Sequence, residues 1–209
     1  MNGDGTDDVG AALRMEGTPP DWNDLEKTCL ECGNCPLCDG RINVVFGAGP
    51  RDARILLIGE APGEHEDKQG LPFVGKGGKF LDDMLRIIDL DRAKNVYIAN
   101  MIKCRPPKNR DPLPSEQEAC LPWLRAQYAL LRPRIVVCLG RIAAGAIIGG
   151  DFKITRDHGK WFKGGDTYFV SLFHPAALLR DPRRRPETFV DLKNIRRRIW
   201  EICPEVYGQ

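Results

Sequence analysis

RILLIGEAPGEHEDKQGLPFVGKGGKFLDD, residues Arg54 to Asp83, is the stretch from which the fold can be read. Ile55-Leu56-Leu57-Ile58 is a short, unbroken apolar run, the pattern of a strand buried on both faces of a parallel sheet. Gly59 ends the run. Glu60-Ala61-Pro62-Gly63 then turns the chain sharply just past the strand's carboxyl end, where open α/β sheets bind their ligands. The acids Glu64, Glu66 and Asp67 follow in what reads as a solvated loop, and Phe73 stands beyond them without apolar neighbours at helical spacing. From Lys79 to Ile88, the residues Phe80, Leu81, Met84, Leu85 and Ile88 fit one helical face. Taken alone, this is a tight strand-to-helix connection; what the other strand ends carry gives it weight.

Outward from that stretch, Val44 to Gly47 reads as a brief strand or extended segment, and Val96 to Asn100 as a second strand ending on a polar residue. The loop after it contains Pro106-Pro107 and cannot be helical there. Ser115-Glu116-Gln117-Glu118 has the form of a capping box and opens a helix to about Leu131. Ile135 to Leu139 is a third strand, Ala143 to Ile148 a short helix, and residues 152–165 are irregular or hairpin-like. Tyr168 to Phe173 is the last strand and delivers His174; a basic loop, Arg180 to Arg185, leads to a final helix over Thr188 to Ile202. Strands alternating with helices make βαβ units. The expected fold is therefore α/β, a three-layer α/β/α arrangement with a central, mainly parallel four-stranded sheet. Residues 1–20, rich in Gly and Asp, are expected to form a flexible tail, and residues 21–209 a single domain.

Composition narrows the function. A net charge of +2 does not advertise a polyanion partner, so any nucleic-acid surface must be locally basic. No run approaches the ~18–20 apolar residues of a membrane span. The N-terminal MNGDGTDDVGAAL lacks the basic start and apolar core of a signal peptide, and a cytoplasmic location is expected. Eight cysteines in that compartment are thiols rather than disulfides. Cys29, Cys32, Cys35 and Cys38 are evenly spaced, while Cys104 and Cys120 stand apart; Cys138 and Cys203 read as small hydrophobes. A C-x2-C pair with two distant cysteines suits one tetrahedral zinc or one [4Fe–4S] cluster, and spacing does not separate the two.

Five motifs now stand in order, each at an expected strand end or its loop: GEAPGEHED (59–67), LPFVGKGG (71–78), VYIAN (96–100), KCRPPKNR (103–110) and FHPAALLR (173–180). Together they resemble the family 4, iron–sulfur uracil-DNA glycosylases, from about Cys32 to Ile199. The resemblance implies a single repair domain that hydrolyses the N-glycosidic bond of uracil in double- or single-stranded DNA, acting as a monomer. It implies a [4Fe–4S] cluster on Cys32, Cys35, Cys104 and Cys120. Cys29 and Cys38 depart from the family pattern, and the register can slide so that Cys29/Cys32 or Cys35/Cys38 supply the pair.

The same resemblance assigns a base pocket. Phe73 would stack on the flipped base and Asn100 would read uracil N3–H and O4. His174 would donate to O2 as charge develops there. Without the resemblance, Phe73 would read as a core aromatic and Asn100 as a turn cap. Ala61 takes the place where other branches of the superfamily carry a water-activating aspartate, which leaves Glu60 as the nearest group to orient water. Glu60 and His174 are thus the expected catalytic pair. Glu66 would exclude the thymine methyl. Arg105 and Lys108 (with Arg110) in the Pro-rich loop, and Arg180 and Arg183 after His174, would meet DNA, with Leu178-Leu179 as an apolar wedge. The alternative is a non-catalytic or covalent uracil-DNA capture protein. The short, His-free segment between Cys104 and Cys120 counts against it.

Overall fold

A computed structural model describes residues 9–208. In chain order its elements are Trp22–Leu30 (α1), Ile55–Gly59 (β1), Glu64–Gln69 (α2), Lys76–Ile87 (α3), Val96–Asn100 (β2), Pro114–Leu131 (α4), Ile135–Leu139 (β3), Arg141–Ile147 (α5), Ile154–Asp157 (α6), Trp161–Gly164 (β4), Thr167–Leu172 (β5), Pro175–Arg180 (α7) and Arg185–Ile202 (α8). The strands lie in the order β2-β1-β3-β5-β4. All pairings are parallel except that of β4 with β5. The chain leaves β1 for β2 on one side and then crosses back to β3 on the other. The crevice between the carboxyl ends of β1 and β3 is therefore a topological switch point.

Every residue of β1, β2 and β3 is buried. Alternate side chains leave a strand on opposite faces, so one apolar run feeds two cores. Leu56, Ile58, Tyr97, Ala99, Val136 and Cys138 pack with Leu25 and Cys29 of α1 and Leu124 of α4. Ile55, Leu57, Val96, Ile98 and Val137 pack on the other face with Leu81, Met84 and Leu85 of α3 and Leu192, Ile195 and Ile199 of α8. That makes three layers.

Several expectations are corrected. The sheet has five strands, not four. Half-exposed Trp161 and Phe162 form an antiparallel edge strand whose hairpin to β5 falls in the irregular segment, and its mixed burial carries no apolar run. The acidic loop is the helix α2: Glu66 at its third position accepts from Gly63 N–H (3.1 Å), and acids in a first turn suit the helix dipole. Helix α3 starts at Lys76, earlier than expected. Ser115 caps nothing; α4 starts with Pro114 at its first position, and Glu116 takes the N–H of Leu113 (2.7 Å). The basic stretch is no open loop, because Arg180 ends α7, Pro182–Arg184 is a 3-10 turn and Arg185 begins α8. Residues 9–13 are not a tail: Val9 and Leu13 are buried, Gly10 N–H donates to Ile147 O (2.8 Å) and Arg125 Nε to Ala12 O (2.8 Å). Residues 1–8 of the expected tail lie outside the described residues. Among the described residues no helix is long and apolar enough to cross a membrane.

Candidate active site

At the switch point, a cleft of about 460 Å³ is lined by Glu60, Glu66, Phe73, Asn100, His174 and Arg180, among others. Its floor is set by close approach. A Cβ on Gly59 would lie 2.3 Å from Asn100 Oδ1 and 2.6 Å from Phe73 Cζ, so only glycine leaves both groups in place. Asn100 ends β2 paired with Gly59, is 2% exposed, and its Oδ1 has no hydrogen-bond partner. A buried carbonyl without a donor costs about 1–3 kcal/mol.

Phe73 has φ of +53°, a left-handed backbone that a bulky residue adopts only when its surroundings force it. Arg92 supplies the force: its two terminal nitrogens donate to Pro72 O and Phe73 O, both at 2.9 Å. Nothing in the sequence marks Arg92 for this. The Phe73 ring is buried in the α3-side core yet lies 5.6 Å from the His174 ring, tilted by 32°.

His174 follows β5 and caps α7. Its Nδ1 accepts the N–H of Ala176 (3.2 Å), so the ring proton sits on Nε2. Burial, helped by the Arg180 charge and opposed by Glu66, lowers its pKa to about 4. The imidazole is therefore a neutral donor. The sign for stability follows from proton counts. The unfolded imidazole takes a proton below about 6.5 and the folded one only near 4, so stability falls as the pH drops through that window. Replacing His174 by Gln is expected to flatten Tm against pH between those values, measured by thermal melts.

Glu66 Oε1 accepts from Val74 N–H (2.9 Å) and Gly75 N–H (2.8 Å), and its Oε2 from Gly63 N–H. It braces the loops on both sides of the cleft. Glu60 is part-buried, and its pKa is raised by that burial and by Asp111, with Arg141 opposing. Ala61 stands beside it and presents no carboxylate.

The expected DNA cations separate. Arg180 reaches the cleft, as do Lys76 and Arg110, although Arg110 is held by both carboxylate oxygens of Glu116 (2.6 and 2.8 Å). Arg105 lies at the rim, bonded to Asn109 Oδ1 (2.7 Å) and 3.7 Å from Glu64. Lys108 is exposed on the 3-10 turn Pro107–Asn109. Arg183 pairs with Asp181. Leu178 is core; only Leu179 of the expected wedge is exposed.

Behind the cleft, Cys29, Cys32, Cys35, Cys38, Cys104 and Cys120 line one chamber with Arg41, Lys103 and Trp123. All are free thiols. Arg41 Nη1 donates to Cys104 Sγ (3.2 Å) and Lys103 N–H to Cys120 Sγ (3.2 Å). Burial pushes Cys29 up to about 12 and Cys120 to about 11, with Lys103 opposing both. Among the described residues no three His, Cys, Asp or Glu side chains converge to grip a single ion. Trp123 Nε1 on the wall is buried without a partner. Cys138 and Cys203 lie in the two cores, fully buried. Cys29 shares that burial.

The class of protein with this sheet and cleft is identified by comparison. The family model of the uracil DNA glycosylase superfamily matches residues 46–199. The chain is 41% identical over 189 residues to the Type-4 uracil-DNA glycosylase of Archaeoglobus fulgidus, covering 87% of this chain and 92% of that one. With the Type-4 enzyme of Sulfurisphaera tokodaii it shares 41% over 181 residues (82% of each), and with that of Thermotoga maritima 44% over 155 (72% and 79%). The chain belongs to the Type-4 uracil-DNA glycosylases of that superfamily.

Proposed function

We propose that the protein is a DNA-repair glycosylase that releases free uracil from DNA and leaves an abasic site. The observation that carries this reading is the unpartnered, buried Asn100 Oδ1 facing a cleft with a neutral His174 and a strained aromatic. Uracil N3–H supplies the donor that Oδ1 lacks, and the amide NH2 meets O4. Cytosine presents the opposite pattern at both positions and is refused. Phe73 stacks on the base, a contact worth roughly 1–3 kcal/mol.

The reaction breaks the bond from the sugar's C1′ to uracil N1. The bonding electrons leave with the base as an anion, and His174 Nε2–H stabilises the charge growing on O2. The sugar gains oxocarbenium character, and a water oriented by Glu60 adds at C1′, giving up a proton to that carboxylate or to solvent. Glu66 fixes both cleft loops and walls the base's C5 side. Arg180 and Lys76 face the phosphates, with Arg105 and Lys108 at the rim; Arg183, paired with Asp181, stands on the turn after α7.

We assign the chamber to a [4Fe–4S] cluster held by Cys32, Cys35, Cys104 and Cys120. Six thiols gathered on one chamber, and the orphaned Trp123 N–H, which can donate to a cluster sulfur, support this reading. Its chemistry here is structural, binding the N-terminal segment to the Pro-rich loop. Such a site needs reduced thiols and agrees with a cytoplasmic location. A monomer suffices, because one chain contributes every group named.

Uracil-containing oligonucleotides, treated with the protein and then cleaved by alkali, test the activity. No cleavage at uracil would overturn it, and a covalent adduct would mean capture. Anaerobically purified protein is expected to be brown with about four irons per chain. Alanine at Cys32, Cys35, Cys104 or Cys120 should lose the iron, and alanine at Cys29 or Cys38 should keep it. Phe73→Ala should weaken single-turnover excision by roughly 1–3 kcal/mol of stacking. A soluble variant with the wild-type rate would leave Phe73 only its core role.

A further inference from the structure

Lys103 is anomalous. It sits between the chamber and the cleft, only 1% exposed. Its Nζ donates to the main-chain oxygen of Asn100 (2.9 Å) and to Oε1 of Gln127 (2.7 Å), and neither partner is an acid. A lysine buried this far without a counter-charge is strongly disfavoured. On its other side Lys103 lines the chamber with the six cysteines, which would carry the opposite charge as cluster thiolates, and its own N–H meets Cys120 Sγ. Gln127 is fixed in turn by donating to Phe46 O (2.9 Å).

We propose that Lys103 is a positioning residue through which the cysteine chamber holds the base-reading Asn100 in place. Thiolates gathered on a cluster compensate its ammonium, and the ammonium pins the last carbonyl of β2. Asn100 Oδ1 is thereby kept where a base edge can reach it. This gives a cluster in a hydrolase a role in base recognition as well as in folding. It rests on the readings that the chamber holds the cluster and that Asn100 reads uracil.

The test compares wild type, Lys103→Met and Gln127→Met in the iron-loaded state. It measures iron content, affinity for uracil-containing DNA, single-turnover excision and the cluster's reduction potential. Lys103→Met is expected to keep its iron and DNA affinity. Its single-turnover rate should fall roughly 10–100-fold, the cost of misplacing a reacting contact by about an ångström. Its potential should move to more negative values, because a cation has left the thiolates' side. Gln127 lines neither the chamber nor the cleft. Gln127→Met should lower the rate less, with the potential unchanged. A wild-type rate or an unmoved potential in iron-loaded Lys103→Met overturns the proposal. If Lys103→Met cannot hold iron, Gln127→Met decides, and a wild-type rate there also overturns it. Wild-type protein without iron or without excision would instead defeat the readings beneath it.

Discussion

Asn100→Leu is expected to be more stable than the wild type and nearly inactive on uracil. The wild-type chain buries Asn100 Oδ1 without a donor, a standing cost of about 1–3 kcal/mol. Leucine has the same branched outline, though it is bulkier, and carries no unsatisfied atom, so the fold should gain up to that amount in urea melts. The bound base suffers the reverse. Its N3–H and O4 would be buried without partners at about 1–3 kcal/mol each, which lowers excision roughly 10²–10⁴-fold. Opposite signs in the two measurements are the point: a residue kept for the fold would lose on both. A variant that is less stable than wild type, or that excises uracil within tenfold of it, counts against the assignment.

Much of this was open to sequence reading because the determinants are local. Unbroken apolar runs at Ile55–Ile58, Val96–Ala99 and Ile135–Leu139 read as strands covered on both faces, and Gly59, Asn100 and His174 follow from where the first two runs and the last strand, Tyr168 to Phe173, stop. What stayed hidden depends on tertiary geometry. Half-buried Trp161 and Phe162 owe their strand to pairing with β5 rather than to any pattern of their own. Glu64, Glu66 and Asp67 look like solvated acids until the helix they start is known to be anchored by Glu66 at Gly63, Val74 and Gly75. Nothing in the sequence marks Arg92 or Lys103 for burial, since such residues are seldom fully buried. Only the fold shows that one clamps Phe73 and the other stands behind Asn100. Leu178 was misplaced for a related reason: α7 turns it inward, and the charge run around it gave no hint of the helix.

His174→Ala is expected to cut single-turnover excision by about 10²–10³, the usual cost of removing one preorganised donor to a developing oxyanion. Three observations set the sign and mechanism. Nδ1 is occupied by Ala176 N–H, which leaves Nε2 as the donor. The ring's pKa lies near 4, so at neutral pH it gives a hydrogen bond without giving up a proton. It lies beside Phe73 in the cleft that also holds Asn100 and Glu60, so one base can reach all of them. On that reading uracil leaves as an anion, and the wild-type rate should show no titration step from His174 above about pH 5, since the group is already neutral there. An acid-side loss, if present, belongs to Glu60, whose pKa is raised by burial and by Asp111. DNA binding should survive in His174→Ala, because Asn100 and Phe73 still hold the base. Near-wild-type single-turnover rates in His174→Ala would remove the histidine from the chemistry. A rate that instead falls in step with protonation around pH 6.5 would show a freely titrating imidazole and defeat the neutral-donor mechanism.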